Sequence, residues 1–522
     1  MALAFLASCH QKSQVPVQLD DSRLNKFVKQ HEEAKPYKEE MKVFYNKRNF
    51  EPAWVGKNGI NSHGKKFIER INKEAKNEYG CNLACTYRLN ELDKIMDQND
   101  RRKNNADSIP VNIELMLTAT FFEYAKQNWD GPPEEKMKQS GWMLKRKKTS
   151  YPEFLDSLLR INSNHMETAG PLNSRYLELQ QFYDRYFTME NSSWSPQLDA
   201  GIKLRLGDAS LQVAALKKQL IMVGDLAGYE NDRFDKNTEN AVRSFQERHG
   251  LAPDGIVTGK TTAALNIPVK ERAAQIMLNM ERCKWLPEKH EGDILFINVP
   301  EYKLYVYNGN DLQWSCDVVV GKESSRTVIF NDNMEYIVFS PYWNLPKSII
   351  MNETLPKISA DGGYLESNNM EIVDENGEVV EASTIEWDRH TDDFPYIIRQ
   401  KPGENNSLGR VKFLFPNSHS IYLHDTPAKS LFRETDRAFS HGCIRVSEPL
   451  NLAKYLLREN ESLDEDSIRT LMFSGIEKTI KLKKQVPVYL VYLTAWVDTS
   501  GKLNFRQDIY GQDKKLEKLI PL

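Results

Sequence analysis

Residues 421–446 read IYLHDTPAKSLFRETDRAFSHGCIRV. The alternation of apolar residues at the start of this stretch predicts a strand that ends at His424. Nineteen residues later Cys443 follows a glycine, with His441 two positions before it and Arg445 two positions after it. Residues i and i+2 of an extended segment share a face, so these three side chains are predicted to point into one cleft.

The residue types in this stretch suit nucleophilic acyl transfer. A cysteine thiolate is the nucleophile, and a neighbouring imidazole can take the thiol proton and then stabilise the anion. Gly442 permits unusual dihedral angles and a close backbone approach, and nearby N–H groups can bind an oxyanion. The Arg445 guanidinium can bind a carboxylate through two parallel hydrogen bonds. The alternative, a buried structural cysteine beside two hydrogen-bonded histidines, is disfavoured because all five residues fall within 22 positions.

The sequence around this stretch predicts a β-rich domain. From Asp293 the apolar period changes to two, and strand patterns recur to about residue 510 with glycines and prolines between them. A polar and acidic insertion at 345–395 interrupts the strands, and helical patterns return at 449–458 and 464–474. A sandwich or barrel over 293–510 with minor helices fits this pattern.

The sequence before residue 293 predicts helices. Residues 40–198 are mostly helical in pattern, with a basic stretch at 136–150 that we expect to be a solvated loop. Residues 199–268 predict a compact unit of three helices, with capping residues and turn glycines between them. Residues 269–292 are predicted to link this unit to the β-rich domain.

The N-terminal nine residues are apolar and then small. Leu6-Ala7-Ser8-Cys9 resembles the lipobox of bacterial lipoproteins, which implies a signal segment at 1–9, a lipid on Cys9 and a tether at 10–39. The chain has six cysteines, so five remain once Cys9 is lipidated, and at least one of them is predicted to be unpaired.

Composition and motif searches disfavour several functional classes. The net charge is −3 and no basic stripe occurs, which argues against a nucleic-acid partner. The sequence contains no run of 18 or more apolar residues, so we do not expect a helix that spans a membrane. Gly259-Lys260-Thr261 lacks the first glycine of a phosphate-binding loop, and His290-Glu291 lacks the second histidine of a metalloprotease helix. Ser62 and Lys65 fit a penicillin-binding serine motif, but its companion Lys-Thr-Gly is absent.

Several stretches resemble the L,D-transpeptidase family. His424, followed by Ser440-His441-Gly442-Cys443-Ile444-Arg445, is similar to the family signature. Residues 199–268 resemble a peptidoglycan-binding domain, residues 40–198 resemble the helical scaffold of the large multidomain branch, and Trp343–Ile349 resembles the segment before a capping insertion. The resemblance implies a multidomain α+β protein with a helical scaffold, a three-helix peptidoglycan-binding domain and a β-rich catalytic domain with a helical insertion.

The activity implied by the resemblance is a two-step acyl transfer between peptide stems. Cys443 would attack the third residue of a donor tetrapeptide, expel the terminal D-Ala and pass the acyl group to an acceptor amine. His441 would be the base and later the acid, whereas His424 would bind substrate or organise the site. The expected substrate-binding residues are Tyr422, Ser440, Gly442 and Arg445.

The remaining expectations concern partners and location. The resemblance implies no cofactor and no metal, and we expect a monomer in the bacterial periplasm or cell envelope that contacts a membrane only through its lipid anchor. The insertion at 345–395 is expected to act as a lid over the thioester. Two alternatives remain open, a non-catalytic peptidoglycan-binding lipoprotein and a carboxypeptidase or hydrolase that resolves the same acyl-enzyme with water.

Overall fold

A computed structural model describes residues 18–56, 59–74, 108–146, 148–190, 197–228, 231–287, 291–385, 387 and 394–520. The predicted lipid anchor Cys9 and the pair Cys81 and Cys85 lie outside these residues. The predicted α+β fold is confirmed, with helices before residue 291 and a β-rich region after it. Across the described ranges, no helix combines the length and the apolar character needed to cross a membrane.

The first region is a helical scaffold with its own hydrophobic core. Residues 21–38 differ from the tether predicted for 10–39, because Leu24, Phe27 and Val28 form an apolar helix face that is buried in this core. The scaffold elements are α1 (Asp21–Gln30), a 3₁₀ helix (Glu32–Tyr37), α2 (Lys38–Lys47), strands β1 (Val55–Gly56) and β2 (Gly59–Ile60), α3 (Ser62–Glu74), α4 (Ser108–Trp129), α5 (Glu134–Ser140), α6 (Tyr151–Leu159) and α7 (Ser174–Glu190).

A buried carboxylate fixes the turn before β1. Glu114 on α4 accepts hydrogen bonds from the backbone N–H groups of Ala53, Trp54 and Val55 at 2.6, 2.8 and 2.9 Å, and a further one from the Tyr45 hydroxyl at 2.9 Å. Burial raises the pKa of Glu114, while these donors act in the opposite direction. A buried polar group is tolerated when it is hydrogen-bonded in this way.

Three helices form the predicted compact unit, α8 (Leu211–Val223), α9 (Lys236–Arg248) and α10 (Gly259–Leu265). Ser210 and Asp235 cap the first two helices by accepting backbone hydrogen bonds from Val213 and Thr238. The helical spacing of Leu211 from Val213, Leu216 and Leu220 suggests that it shares their buried face, but it does not. It is the first residue of α8 and is 87% exposed.

Two segments between the predicted domains and helices pack into the main core. The predicted linker 269–292 contains α11 (Val269–Cys283), whose apolar face lies against α7 and the large sheet. The predicted solvated loop at 136–150 contains the end of α5 and then Trp142, which is fully buried and bridges to Ile329. The prediction of a solvated loop was wrong because long charged side chains cover the outer face of a segment whose inner face is apolar.

A nine-stranded sheet forms the C-terminal region. Its order is β13-β5-β14-β12-β11-β6-β15-β3-β4, and an additional pairing of β4 with β5 curls the sheet into a barrel. The strands are β3 (Asp293–Asn298), β4 (Lys303–Asn308), β5 (Asp311–Gly321), β6 (Asn331–Phe339), β11 (Val411–Leu414), β12 (Leu423–His424), β13 (Ala438–Ser440), β14 (Ile444–Val446) and β15 (Lys478–Val491).

The insertion predicted at 345–395 has a small hydrophobic core of its own. The insertion was expected to be helical, but it also holds a four-stranded sheet of order β7-β10-β8-β9, in which apolar residues of β8 and β10 are buried. Its elements are β7 (Trp343–Asn344), α12 (Lys347–Ile349), a π-helical turn (Ile350–Thr354), α13 (Leu355–Ala360), α14 (Tyr364–Ser367), β8 (Met370–Val373), β9 (Val379–Val380) and β10 (Ile397–Gln400).

The end of the chain returns to the core. Helices α15 (Pro449–Leu457) and α16 (Glu465–Phe473) precede β15, and the hairpin of β16 (Ala495–Val497) with β17 (Leu503–Phe505) leads to α17 (Gln512–Leu519). The β16–β17 hairpin also contacts the three-helix unit, because Arg248 donates a hydrogen bond to the carbonyl of Leu503 and Arg506 donates one to the carbonyl of Arg248.

Candidate active site

Cys443 lies in the turn between β13 and β14, and a set of hydrogen bonds holds this turn. The Ser440 hydroxyl accepts from the N–H of Gly442 at 3.1 Å and donates to the carbonyl of Cys443 at 2.5 Å. The Thr327 hydroxyl donates to the carbonyl of Gly442 at 2.8 Å. Gly442 has a φ of +116°, a conformation essentially restricted to glycine. Ser440 and Gly442 therefore shape the turn that presents the sulfur.

The Cys443 thiol is half-buried and free of disulfides. It donates a weak hydrogen bond to the carbonyl of Ser420 over 3.6 Å. Burial raises the pKa of the thiol, while hydrogen bonding to Tyr422 and the positive charge of Arg445 lower it. Cys283 and Cys316 differ in being fully buried, and burial raises the pKa of each to about 12. Cys443 is therefore the most reactive of these three cysteines.

His424 is buried at the end of β12 and stands beside Arg445 in the parallel pairing of β12 with β14. The hydrogen bond between its Nδ1 and the carbonyl of Asp425 measures 2.5 Å, and its ring meets the Tyr422 ring edge to face at 5.7 Å. Burial, followed by the charge of Arg445, lowers the pKa of His424 to about 4. The imidazole is therefore neutral near pH 7 and can accept a proton.

His441 is exposed, and its ring contacts the insertion. Its Nε2 is 2.8 Å from Oε1 of Glu353, which belongs to the π-helical turn of the insertion. No hydrogen bond joins His441 to the Cys443 thiol among the described residues. The expected alternation of faces applies only to extended backbone, and the dihedral of Gly442 interrupts it between His441 and Cys443.

Arg445 is half-buried on β14, and its positive charge acts on the Cys443 thiol two residues before it. Burial lowers the pKa of its guanidinium, whereas the neighbouring Cys443 raises it. Its Nε is buried and has no hydrogen-bond partner in the described part of the chain. An unpaired buried donor of this kind is available to an anionic or carbonyl group of a ligand.

Sequence reasoning missed three residues that contribute to this site. Glu353 contacts His441 from a position 88 residues away. Thr327 lies on the loop before β6, and Ser420 carries a φ of +54° just before β12. No spacing or motif links these residues to Cys443, because each reaches the site through the folding of another segment.

The family comparisons agree with this architecture. Residues 292–479 match a family model described as the L,D-transpeptidase catalytic domain, YkuD. Residues 39–182 match a scaffold domain, and residues 210–265 match a model described as a "Putative peptidoglycan binding domain".

Individual proteins extend the comparison. A protein of Haemophilus influenzae named "Putative L,D-transpeptidase" is 37% identical over 242 residues, which is 46% of this chain and 48% of that protein. The chain therefore spans about half the length of this curated relative.

Solved structures of an L,D-transpeptidase from Xylanimonas cellulosilytica (residues 123–326) and one from Stackebrandtia nassauensis are 14% and 12% identical. Their TM-scores are 0.18 and 0.22; each match covers 57% of this chain and 100% and 97% of the respective structure. At these TM-scores the superpositions add nothing to the assignment of the fold. On the basis of these three matches, the chain carries the catalytic domain of the L,D-transpeptidase (YkuD) family together with a scaffold domain and a peptidoglycan-binding domain.

Proposed function

We propose that this protein cross-links peptidoglycan peptide stems as an L,D-transpeptidase, through a thioester on Cys443. The observation that carries the proposal is a half-buried, unpaired thiol beside Tyr422 and Arg445, inside a domain of this family. The peptidoglycan-binding domain supports the same class of substrate.

The geometry supports His424 better than His441 as the base. His424 is neutral near pH 7, and the Asp425 carbonyl holds its Nδ1, so we assign Nε2 to proton transfer. The register of β12 with β14 sets it beside Arg445, on the strand that begins directly after Cys443. His441 is instead assigned to contact with the insertion through Glu353.

The proposed reaction has two steps. His424 takes the Cys443 proton, the thiolate attacks the carbonyl carbon of the third residue of the donor stem, and the bond to D-Ala breaks as D-Ala leaves as an amine with that proton. An acceptor amine then attacks the thioester, loses a proton to His424, and the sulfur leaves as a thiolate. The N–H of Cys443 makes no hydrogen bond within the described residues and is suited to bind the oxyanion.

Arg445 is the proposed contact for a substrate carboxylate. Its Nε is an unpaired donor, and the charge of Arg445 acts on the Cys443 thiol. A guanidinium in this position holds a stem by two hydrogen bonds and, being positively charged, also favours the thiolate. The Tyr422 ring would line the same groove, since it contacts both Cys443 and His424.

Mass spectrometry tests the proposal directly. Incubation with a disaccharide-tetrapeptide should add the mass of the donor without its D-Ala, and a second stem should give a cross-linked dimer. Cys443→Ser should give neither product, whereas Cys316→Ser, the matched control at a buried cysteine, should retain both. Full cross-linking by the Cys443→Ser protein would contradict the proposal, and release of free tripeptide alone would favour the carboxypeptidase.

The envelope location and the domain limits extend the proposal. The peptidoglycan-acting domains support a site of action in the cell envelope, and we propose a catalytic domain over 293–510, anchoring through a lipid on Cys9 and activity as a monomer. Metabolic labelling with a radioactive fatty acid should mark the full chain and not its Cys9→Ser variant. Light scattering of the purified protein should give the mass of a single chain.

A further inference from the structure

A second cavity lies between the scaffold and the barrel. It has a volume of about 290 Å³ and is lined by the start of α7, by β4 and by the chain around β16. None of its lining residues belongs to 421–446. The volume is at the lower end of the range of roughly 300–1,000 Å³ that small-molecule sites occupy.

One wall of the cavity is aromatic. Tyr305 and Tyr307 alternate on β4, so both side chains point to the same face, and their rings stack at 6.1 Å with an interplanar angle of 29°. Both are half-buried. Phe296 and Trp496 lie deeper in the cavity and are almost fully buried. The wall therefore presents flat, partly accessible ring faces with phenol groups at their edges.

A guanidinium with unused donors packs against this aromatic wall. The Arg175 guanidinium carbon lies 4.5 Å from the Phe296 ring centre, and its one hydrogen bond in the described part of the chain is donated to the Tyr307 hydroxyl at 3.2 Å. A guanidinium has five N–H donors in a fixed plane. The other four donate no hydrogen bond within the described residues.

Carboxylates complete the lining. Glu178 lies one turn after Arg175 on α7 and accepts no hydrogen bond among the described residues, and partial burial raises its pKa. Glu301 accepts a hydrogen bond from the Tyr305 hydroxyl, and Asp498 lies at the rim. Three carboxyl groups against one guanidinium disfavour an anionic ligand, because like charges in a partly buried site repel.

We propose that this cavity binds a neutral sugar of the N-acetylhexosamine class, as a site for the glycan strand of the polymer whose stems the enzyme joins. The proposal rests on the proposed function for the choice of polymer. The C–H face of a pyranose stacks on aromatic rings, and its hydroxyl and amide groups both donate and accept hydrogen bonds. Tyr305, Tyr307, Arg175 and Glu178 together offer these three kinds of contact. A site here would hold a strand on the enzyme independently of the stem bound at Cys443.

Calorimetry with a linear tetramer of N-acetylglucosamine tests this proposal on the full chain bearing Cys443→Ala. This parent cannot form a thioester, so failure to bind sugar would leave the acyl-transfer proposal intact. We expect Arg175→Gln to weaken binding at least tenfold and Glu178→Gln to weaken it several-fold. Asp184→Asn is the matched control, because Asp184 is an exposed carboxylate on the same helix and is not part of the cavity lining.

Melting temperatures of all variants separate a local effect from misfolding. Glu178→Gln removes no hydrogen bond that the described residues make, so it keeps the test valid if Arg175→Gln fails to fold. Equal affinity of Glu178→Gln and Asp184→Asn for the tetramer would overturn the proposal. The proposal would also be overturned if the tetramer did not bind measurably to the parent protein. It would be overturned as well if a free stem tetrapeptide, and not the sugar, bound in a way that depends on Arg175.

Discussion

The two histidine segments beside Cys443 are built from different parts of the molecule. His424 ends a strand inside the nine-stranded sheet, and its neighbours come from adjacent strands and from the residue that follows it. His441 lies in an exposed turn, and its partner Glu353 belongs to the insertion with a separate core. On the proposed function, the base therefore belongs to the barrel, whereas the insertion contacts the turn through His441 and Glu353.

The largest expected effect is the difference in activity between a variant of His424 and a variant of His441. His424→Asn should slow acylation of Cys443 by about 10²–10⁴-fold, because a positioned base contributes on this scale. His441→Asn should slow the same step by less than roughly tenfold, since no hydrogen bond joins it to the thiol among the described residues. Rapid-quench mass spectrometry of the acyl-enzyme measures both rates. A larger loss in His441→Asn than in His424→Asn would reverse the assignment.

The second effect concerns the backbone conformation of Gly442, which lies between His441 and Cys443. Gly442→Ala should lower the free energy of unfolding by about 1–3 kcal/mol, because a side chain is strained at a φ of +116°. A Cβ at this position would meet its nearest neighbour, the Arg326 carbonyl, at 3.6 Å, so the strain comes from the backbone and not from lack of space. Acylation should slow as well.

Urea denaturation measures the change in stability. Gly362→Ala in the insertion is the matched control, because its Cβ would meet nothing within 4 Å and its φ lies outside the left-handed region. Equal stability of the two variants would show that Gly442 is not strained, and the exposure of His441 would then need another explanation.

A smaller effect tests the contact between the turn and the insertion. Glu353→Gln removes the charge that faces His441, so the insertion should cover the thioester less often and water should reach it more often. We expect the ratio of hydrolysis to cross-linking to rise by about two- to fivefold, since an exposed ion pair contributes about 1 kcal/mol or less. Chromatography of the products gives this ratio.

Glu366→Gln is the control for Glu353→Gln, because Glu366 is an exposed carboxylate on the same insertion with no hydrogen bond or ion pair to another side chain among the described residues. An unchanged ratio in Glu353→Gln would contradict the role of this contact. Deletion of the insertion should raise the ratio further, and an unchanged ratio there would contradict the lid.

A further effect is a change in the pH dependence of stability. The pKa of His424 is about 4 in the folded protein and near 6.5 when unfolded, so its contribution is complete above pH 6.5. As the pH falls from 6.5 towards 4, the unfolded chain binds a proton that the folded chain does not, and this contribution is lost. His424→Asn should flatten the curve by up to about 1.4 kcal/mol per pH unit in this window. An identical curve would contradict the burial of a neutral His424.

Particular residues show what could be predicted from the sequence. The strand ending at His424 and the helical unit around Asp235 were predicted correctly, because each depends on local periodicity or capping, whereas an extended segment was expected where the structure has a turn at Gly442. The buried helix α11 and the buried Trp142 were missed, since a segment whose polar face is prominent gives no sign of the surface that will cover its apolar face.

Local patterns and side-chain chemistry were enough to establish the residue types at the candidate site, the order of the helical and β-rich regions, and the spacing of His424 and Cys443. The folded arrangement was needed to learn which imidazole is buried and which is exposed to the insertion. That outcome depends on the register of β12 with β14 and on Glu353, 88 residues from His441, and the free energy of such contacts is set by packing between segments distant in the chain.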